Sequence, residues 1–350
     1  MERLRRVLIV RLGALGDVVH AIPVAAALRR AWPDVEIDWL VSAQHREILE
    51  LVTCLDRVVV VNDRGQARGG RSILGAISDV RARRYDAVLD LQGLIKSALI
   101  ARMSGAVRVI GFCRGYLREP WARVFYTQTH DPGGAGMFAS TERRHVVHIN
   151  LGLLTSLGVD PGLPEFPIRP IRSAVADEVR RDVGGRYALL NPGAAWPNKR
   201  WPAQRFGALA ERLQTRAGLP SVVLWGPGER ALGDEIVAHS RGAARLSPQT
   251  TIADLVALAR GADVMLSGDT GPTHIAAAVG TPIVGIYGPT RPERNGPWAP
   301  GDVSLSRADV CSCHHARRCV APRWCLLDLP VDEVLSGVER RLAAVVPARG

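Results

Sequence analysis

Short apolar runs alternate with stretches of helical periodicity along nearly the whole chain. Val7 to Val10 reads as a buried strand, and residues 17–30 as a helix with Val18, Ala21, Ile22, Ala25 and Leu28 on one face. Pro23 predicts a bend or a late start in that helix, because its ring removes an amide donor. Strands are also expected at 35–41, 57–61, 86–91 and 107–112, and helices at 46–52, from just after 71 to about 83, and at 94–103. Residues 160–172 (DPGLPEFPIRPIR) predict an extended linker, since each proline biases its predecessor away from helix. The alternation then restarts, with strands at 187–191, 221–225, 264–267 and 282–287. Helices are expected at 203–214, 231–238, 252–259, 273–279 and 331–345. Strands separated by helices imply βαβ units and parallel sheets. The fold class is therefore α/β, with two Rossmann-like doubly wound domains at 1–165 and 173–330, then a C-terminal helix and tail at 331–350. A ligand cleft is expected between the two domains, since such sheets bind ligands outside the carboxyl ends of their strands.

Composition adds limits. The 350 residues are 47% hydrophobic and 23% charged, as in a globular chain rather than a disordered one. No apolar run approaches the roughly 20 residues of a membrane span, and the N-terminal run stops at Arg11, too early for a signal peptide. A cytosolic protein without a transmembrane helix is expected. The net charge of +11 suits an acidic partner, or reflects an arginine-rich composition in which lysine survives only at 96 and 199. The arginines are scattered and no basic motif is interleaved with aromatics, so a nucleic-acid partner is not expected. Four of the six cysteines, Cys311, Cys313, Cys319 and Cys325, fall within fifteen residues. In a cytosolic chain this reads as a metal site or a redox pair before a disulfide framework.

Four strand ends carry candidate chemistry. Arg11-Leu-Gly-Ala-Leu-Gly-Asp17 opens a helix after the first strand, where free amides attract anions. It is not G-x-G-x-x-G, so no dinucleotide fingerprint is read. Asp17 is either a helix cap or a carboxylate able to take a proton. Lys199, in Asn191 to Pro202, is a solvated surface charge or a compact cation for a diphosphate. Trp225-Gly-Pro-Gly-Glu229 is a turn that starts a helix, or a carrier that presents Glu229 to ribose hydroxyls. Ser267-Gly-Asp-Thr-Gly-Pro-Thr-His274 precedes a small-residue helix and makes an anion or sugar-phosphate cradle, with Asp269 and His274 beside it. His274 by itself would read as a structural histidine.

Taken together these strings resemble the ADP-heptose:lipopolysaccharide heptosyltransferases of glycosyltransferase family 9. The resemblance runs through 11–20 with Gly16-Asp17, residues 85–94 with Lys96-Ser97, Arg118-Glu-Pro120 with Phe125-Tyr126, Lys199-Arg-Trp201, Trp225-Gly226 with Glu229, and Asp269-Thr-Gly271 with His274. The strings around Gln92 and Arg118 look closer to heptosyltransferase I than to II. The resemblance implies the GT-B fold and an inverting, metal-independent transfer without a cofactor. It implies an ADP-heptose donor and an anionic Kdo-lipid A-type acceptor at the cytosolic face of the inner membrane. Under it Asp17 is the general base and Lys199 neutralises the departing ADP. Glu229 holds the ribose and Asp269 the heptose hydroxyls, while Thr270, Gly271 and His274 line the diphosphate. Arg118 and Lys96 meet the acceptor, and the Arg-rich loop 64–71 is a candidate for lipid contact.

Gly13, Ala14, Ala194 and Ala195 stand where some family members carry hydroxyls, so a family 9 transferase like heptosyltransferase II, or one using another nucleotide sugar, is the alternative. The cysteine segment resembles one seen in many members. Structural packing or reversible thiol pairing stands beside zinc as its reading, with C-x-C tighter than the usual zinc spacing. Two other classes are a nucleotide-dependent oxidoreductase or epimerase, disfavoured by the missing fingerprint, and a basic binding protein supported only by the pI.

Overall fold

The computed structural model describes residues 4–62, 70–139, 141–313, 316–319 and 321–344. The chain divides into two compact units, Met1–Arg169 and Pro170–Gly350. The first contains β1 (Arg6–Val10), α1 (Leu15–Ala31), β2 (Glu36–Ser42), α2 (Arg46–Leu49), β3 (Arg57–Val61), α3 (Ile73–Arg83), β4 (Ala87–Asp90), α4 (Ile95–Met103), β5 (Arg108–Phe112), β6 (Gln128–His130) and α5 (Val146–Gly152). The second contains α6 (Ala174–Val183), β7 (Ala188–Asn191), α7 (Ala203–Ala217), β8 (Ser221–Val223), α8 (Arg230–His239), β9 (Ala244–Leu246), α9 (Ile252–Gly261), β10 (Val264–Gly268), α10 (Gly271–Ala278), β11 (Ile283–Tyr287), α11 (Pro292–Asn295), β12 (Val303–Ser306) and α12 (Val331–Ala343).

Each unit holds one six-stranded sheet, ordered β3-β2-β1-β4-β5-β6 and β12-β11-β10-β7-β8-β9. Every pairing is parallel. Counted from its own first strand, each sheet has the same doubly wound order, which reverses between β1 and β4 in one and between β7 and β10 in the other. The two α/β halves read from the sequence are therefore present. The central strands Val7 to Val10 and Ala87 to Asp90 are buried throughout, which is why Val7 to Val10 and Ala87 to Leu89 are apolar at every position rather than alternating, with Asp90 as the one buried polar residue.

Helix α1 begins at Leu15 and continues through Pro23, so the late start expected from that proline does not occur. Every residue from Val18 to Leu28 is buried, so packing on all sides offsets the one missing backbone bond. The expected helix at 46–52 stops at Leu49. Val52 instead bridges Ile168, and the Thr53 and Arg169 amides bond Pro167 and Leu51 carbonyls at 2.9 Å each, which ties the proline-rich segment to the first unit. Ser173 then caps α6, its Oγ accepting from the Ala176 amide at 3.0 Å. Helix α12 packs on α7, β11 and β12 in the second unit. Of the Arg-rich loop 64–71, residues 64–69 lie outside the described residues.

Candidate active site

In the first unit the candidate residues follow the strands at the reversal point. Asp17 is the third residue of α1 and half exposed. Its Oδ2 accepts the Ala14 amide at 3.2 Å, and Oδ1 pairs with Arg11 at 2.9 Å. The capping role is thus real, and Arg11 adds a fixed positive charge. The Arg11 guanidinium also donates to the Leu91 carbonyl, while the Arg11 carbonyl accepts from Trp39 Nε1 at 3.2 Å. Gln92 joins the two turns, since its Oε1 accepts the Leu12 amide at 2.9 Å and the Gly13 amide at 3.2 Å. A Cβ at Gly13 would stand 2.5 Å from the His45 ring, so this loop holds glycine for lack of space.

Beneath Gln92 lies Asp90, fully buried at the end of β4. It accepts from the Gln92 amide at 2.8 Å, Ser97 Oγ at 2.9 Å and Tyr126 Oη at 2.8 Å. Burial pushes its pKa up, and these bonds oppose the shift. The network fixes the turn into α4, which carries Lys96. The Glu119 amide donates to the Gly93 carbonyl at 3.1 Å, so the exposed Arg118 is attached beside the same turn. Asp17, Lys96 and Arg118 are thereby brought to one end of one sheet. Sequence reasoning gave no role to Arg11 or Gln92; their signal was a polar residue one or two places beyond a fully buried strand.

In the second unit the cradle is more tightly built. Lys199 Nζ sits 2.6 Å from Asp269 Oδ2, with side chains only 13% and 9% exposed. That excludes the solvated-surface reading of Lys199. Nζ also lies 4.5 Å from the Trp196 ring centroid, a cation–π contact. His274 Nε2 lies 3.2 Å from Asp269 Oδ1. Burial would raise the Asp269 pKa, but the His274 bond and the Lys199 charge outweigh it and hold the carboxyl well below the ordinary range. Asn191 Nδ2 donates to Ser267 Oγ at 2.8 Å and Thr270 Oγ1 at 2.9 Å, and Thr273 Oγ1 donates to the Gly268 carbonyl at 2.6 Å. The ends of β7 and β10 are locked together around the start of α10, whose first residue is Gly271. Gly268 matters here, because a Cβ would stand 3.1 Å from the Lys199 carbonyl.

Glu229 occupies the N-cap position of α8 and closes the Gly-Pro-Gly turn by accepting the Gly226 amide at 3.2 Å. It also pairs with Arg200 at 3.1 Å, and a side chain at Gly193 would collide with its carboxylate. Glu229 is therefore joined to the Lys199 loop. That loop is braced from behind by the cysteine segment: Asn198 Nδ2 donates to the Ala316 carbonyl and Trp324 Nε1 to the Asn198 carbonyl, both at 3.0 Å. Among the described residues no cysteine is joined in a disulfide. Cys313 and Cys319 sulfurs lie 3.3 Å apart, and burial pushes the Cys325 thiol up to about 12. Among the described residues no three His, Cys, Asp or Glu side chains are grouped to hold a metal ion; His314 and His315 lie outside them.

Comparison with known proteins gives a consistent result. The family described as "Glycosyltransferase family 9 (heptosyltransferase)" matches residues 74–325. Lipopolysaccharide heptosyltransferase 1 of Pseudomonas aeruginosa is 32% identical over 319 residues, 88% of this chain and 85% of that protein. Lipopolysaccharide heptosyltransferase 3 of Escherichia coli is 25% identical, covering 95% of this chain and 97% of that one. The structure of E. coli heptosyltransferase WaaC with ADP aligns at a TM-score of 0.75 and 25% identity, over 96% of this chain and 99% of the other. The same enzyme with ADP-2-deoxy-2-fluoro heptose aligns at 0.72, over 95% and 99%. The shared architecture is GT-B.

Proposed function

The chain belongs to glycosyltransferase family 9, the heptosyltransferases, and from that premise we propose that it transfers heptose from ADP-L-glycero-D-manno-heptose to a Kdo-lipid A-type acceptor of the lipopolysaccharide inner core. The observation that carries the reading is the Lys199–Asp269–His274 cluster where β7, β10 and α10 meet. A buried ammonium with further donor capacity, at a helix N-terminus and joined to Glu229 through Arg200, suits a nucleoside diphosphate bearing a sugar. The second unit thus binds the donor and the first the acceptor.

The proposed reaction is a single inverting displacement. The acceptor hydroxyl oxygen forms a bond to the anomeric carbon as the bond to the ADP oxygen breaks on the opposite face. The hydroxyl proton passes to Asp17. A carboxylate is a weak base for an alcohol, but it suffices where the proton is released as the oxocarbenium-like centre is captured. Charge builds on the leaving diphosphate, where Lys199, His274 and the amides of Thr270 and Gly271 stabilise it without a metal. Asp269 orients heptose hydroxyls, Glu229 the ribose, and Lys96 and Arg118 the anionic acceptor. The work takes place at the cytosolic face of the inner membrane.

Incubation with ADP-heptose and a Kdo-lipid A-type acceptor, read by product mass, tests this directly. A gain of one heptose per acceptor is expected. The 32% relative named heptosyltransferase 1 favours the first inner-core heptose. Ala194 and Ala195 in the Lys199 loop favour a second reading, a family 9 enzyme with another acceptor or nucleotide sugar. Release of GDP or UDP in preference to ADP, or addition only to an acceptor already carrying heptose, would establish that reading instead.

A further inference from the structure

Ten large apolar side chains are exposed among the described residues, and six of them lie between positions 95 and 124. On α4, Ile95, Leu99 and Met103 recur at intervals of four, and Arg102, seven residues from Ile95, falls in the same stripe. Helix α4 packs against the 3-10 turns at 120–125, where Trp121 is 71% and Val124 65% exposed, with Arg123 between them. The Glu119 carboxylate accepts the Ile95 amide at 2.7 Å, which fixes Glu119, two residues before Trp121 in the chain, to the start of the stripe. Glu119 is the only acid in residues 95–124, against six basic residues. An exposed tryptophan and aliphatics set among arginines form the composition that partitions into an anionic lipid interface: the indole and aliphatics enter the acyl boundary while the guanidiniums meet phosphates.

We propose that this α4–Trp121 face of the first unit docks on the surface of an anionic phospholipid bilayer. The face borders Lys96 and Arg118. Docking would therefore hold the acceptor end of the first unit at the lipid surface, a purpose that rests on the lipid-linked acceptor proposed above. The binding itself does not depend on that reading.

Sedimentation with vesicles tests it, using the full chain without donor or acceptor. The protein is expected to pellet with phosphatidylglycerol–phosphatidylethanolamine vesicles and to stay in solution with phosphatidylcholine ones. Replacing Arg102 and Arg123 together by Gln should weaken binding roughly thirtyfold, and Trp121→Ser about tenfold. ADP affinity in both variants should stay within about twofold, which shows that they fold. Equal pelleting on the two lipid mixtures, or unchanged binding in both variants, overturns the proposal. So does a Trp121→Ser chain that shifts from dimer to monomer on gel filtration while vesicle binding is kept, since the face would then join two copies. Vesicle binding as expected in a protein that transfers no heptose would refute the acceptor reading and uphold this surface.

Discussion

A lysine beside a buried aspartate is a coupled unit whose parts cannot be removed singly without cost. Lys199→Ala would strip the buried Asp269 of its ammonium partner and leave it His274 alone, so a loss of about 3 kcal/mol in stability is expected, measured by urea denaturation. The acid side of the stability profile carries the same signature. Asp269 is held below its ordinary value of 3.8, so the unfolded chain takes up a proton first as pH falls. Its stabilising contribution is complete above about pH 4 and is lost progressively as pH drops through the depressed native pKa. Asp269→Asn should flatten that limb in a thermal-melt series from pH 6 to 3; a slope identical to that of the parent would show that the pair does not set it. In the first unit, Gln92 satisfies two amides of the loop that carries Asp17. Gln92→Ala should cost about 1–3 kcal/mol and lower kcat with little change in ADP affinity. A loss of ADP affinity alone would count against a role for Gln92 in positioning the Asp17 loop.

At the level of elements, most strands and helices were legible because their neighbours on both sides are apolar or because one face is. The short edge strands β6, β9 and β12 and the helices α5 and α6 were not. Three or four residues cannot display a period, and Gln128 to His130 becomes a strand only because β5 lies beside it. The cysteine segment shows the same limit. Its thiols were visible in the sequence, but its bracing of the Lys199 loop through Trp324 and Ala316 was not, since those contacts span 118 and 126 positions. Trp324→Phe removes one of the two braces. ADP affinity is expected to fall several-fold in titration calorimetry, with the melting temperature lowered by only a few degrees. Unchanged ADP affinity would mean that the loop holds its shape without that brace.

For the whole molecule, one doubly wound topology occurs twice. If the second unit binds donor and the first acceptor, lesions should sort by unit. Asp17→Ala is expected to abolish transfer and keep ADP affinity within about twofold, whereas Lys199→Ala should weaken ADP and slow turnover. Equal loss of ADP binding in both variants would argue against the division. The sequence by itself determined the two α/β halves, the proline-rich junction, the family, and the strand ends where chemistry would sit. Each is local: periodicity, turn residues and short strings are properties of neighbours along the chain. The tertiary structure alone decided that Lys199 is buried against Asp269, that Arg11 and Gln92 hold the Asp17 loop, and that exposed apolar and basic residues of α4 and Trp121 are joined. Those depend on which strands lie side by side, and strand order arises from burial and pairing over many residues that no local pattern encodes.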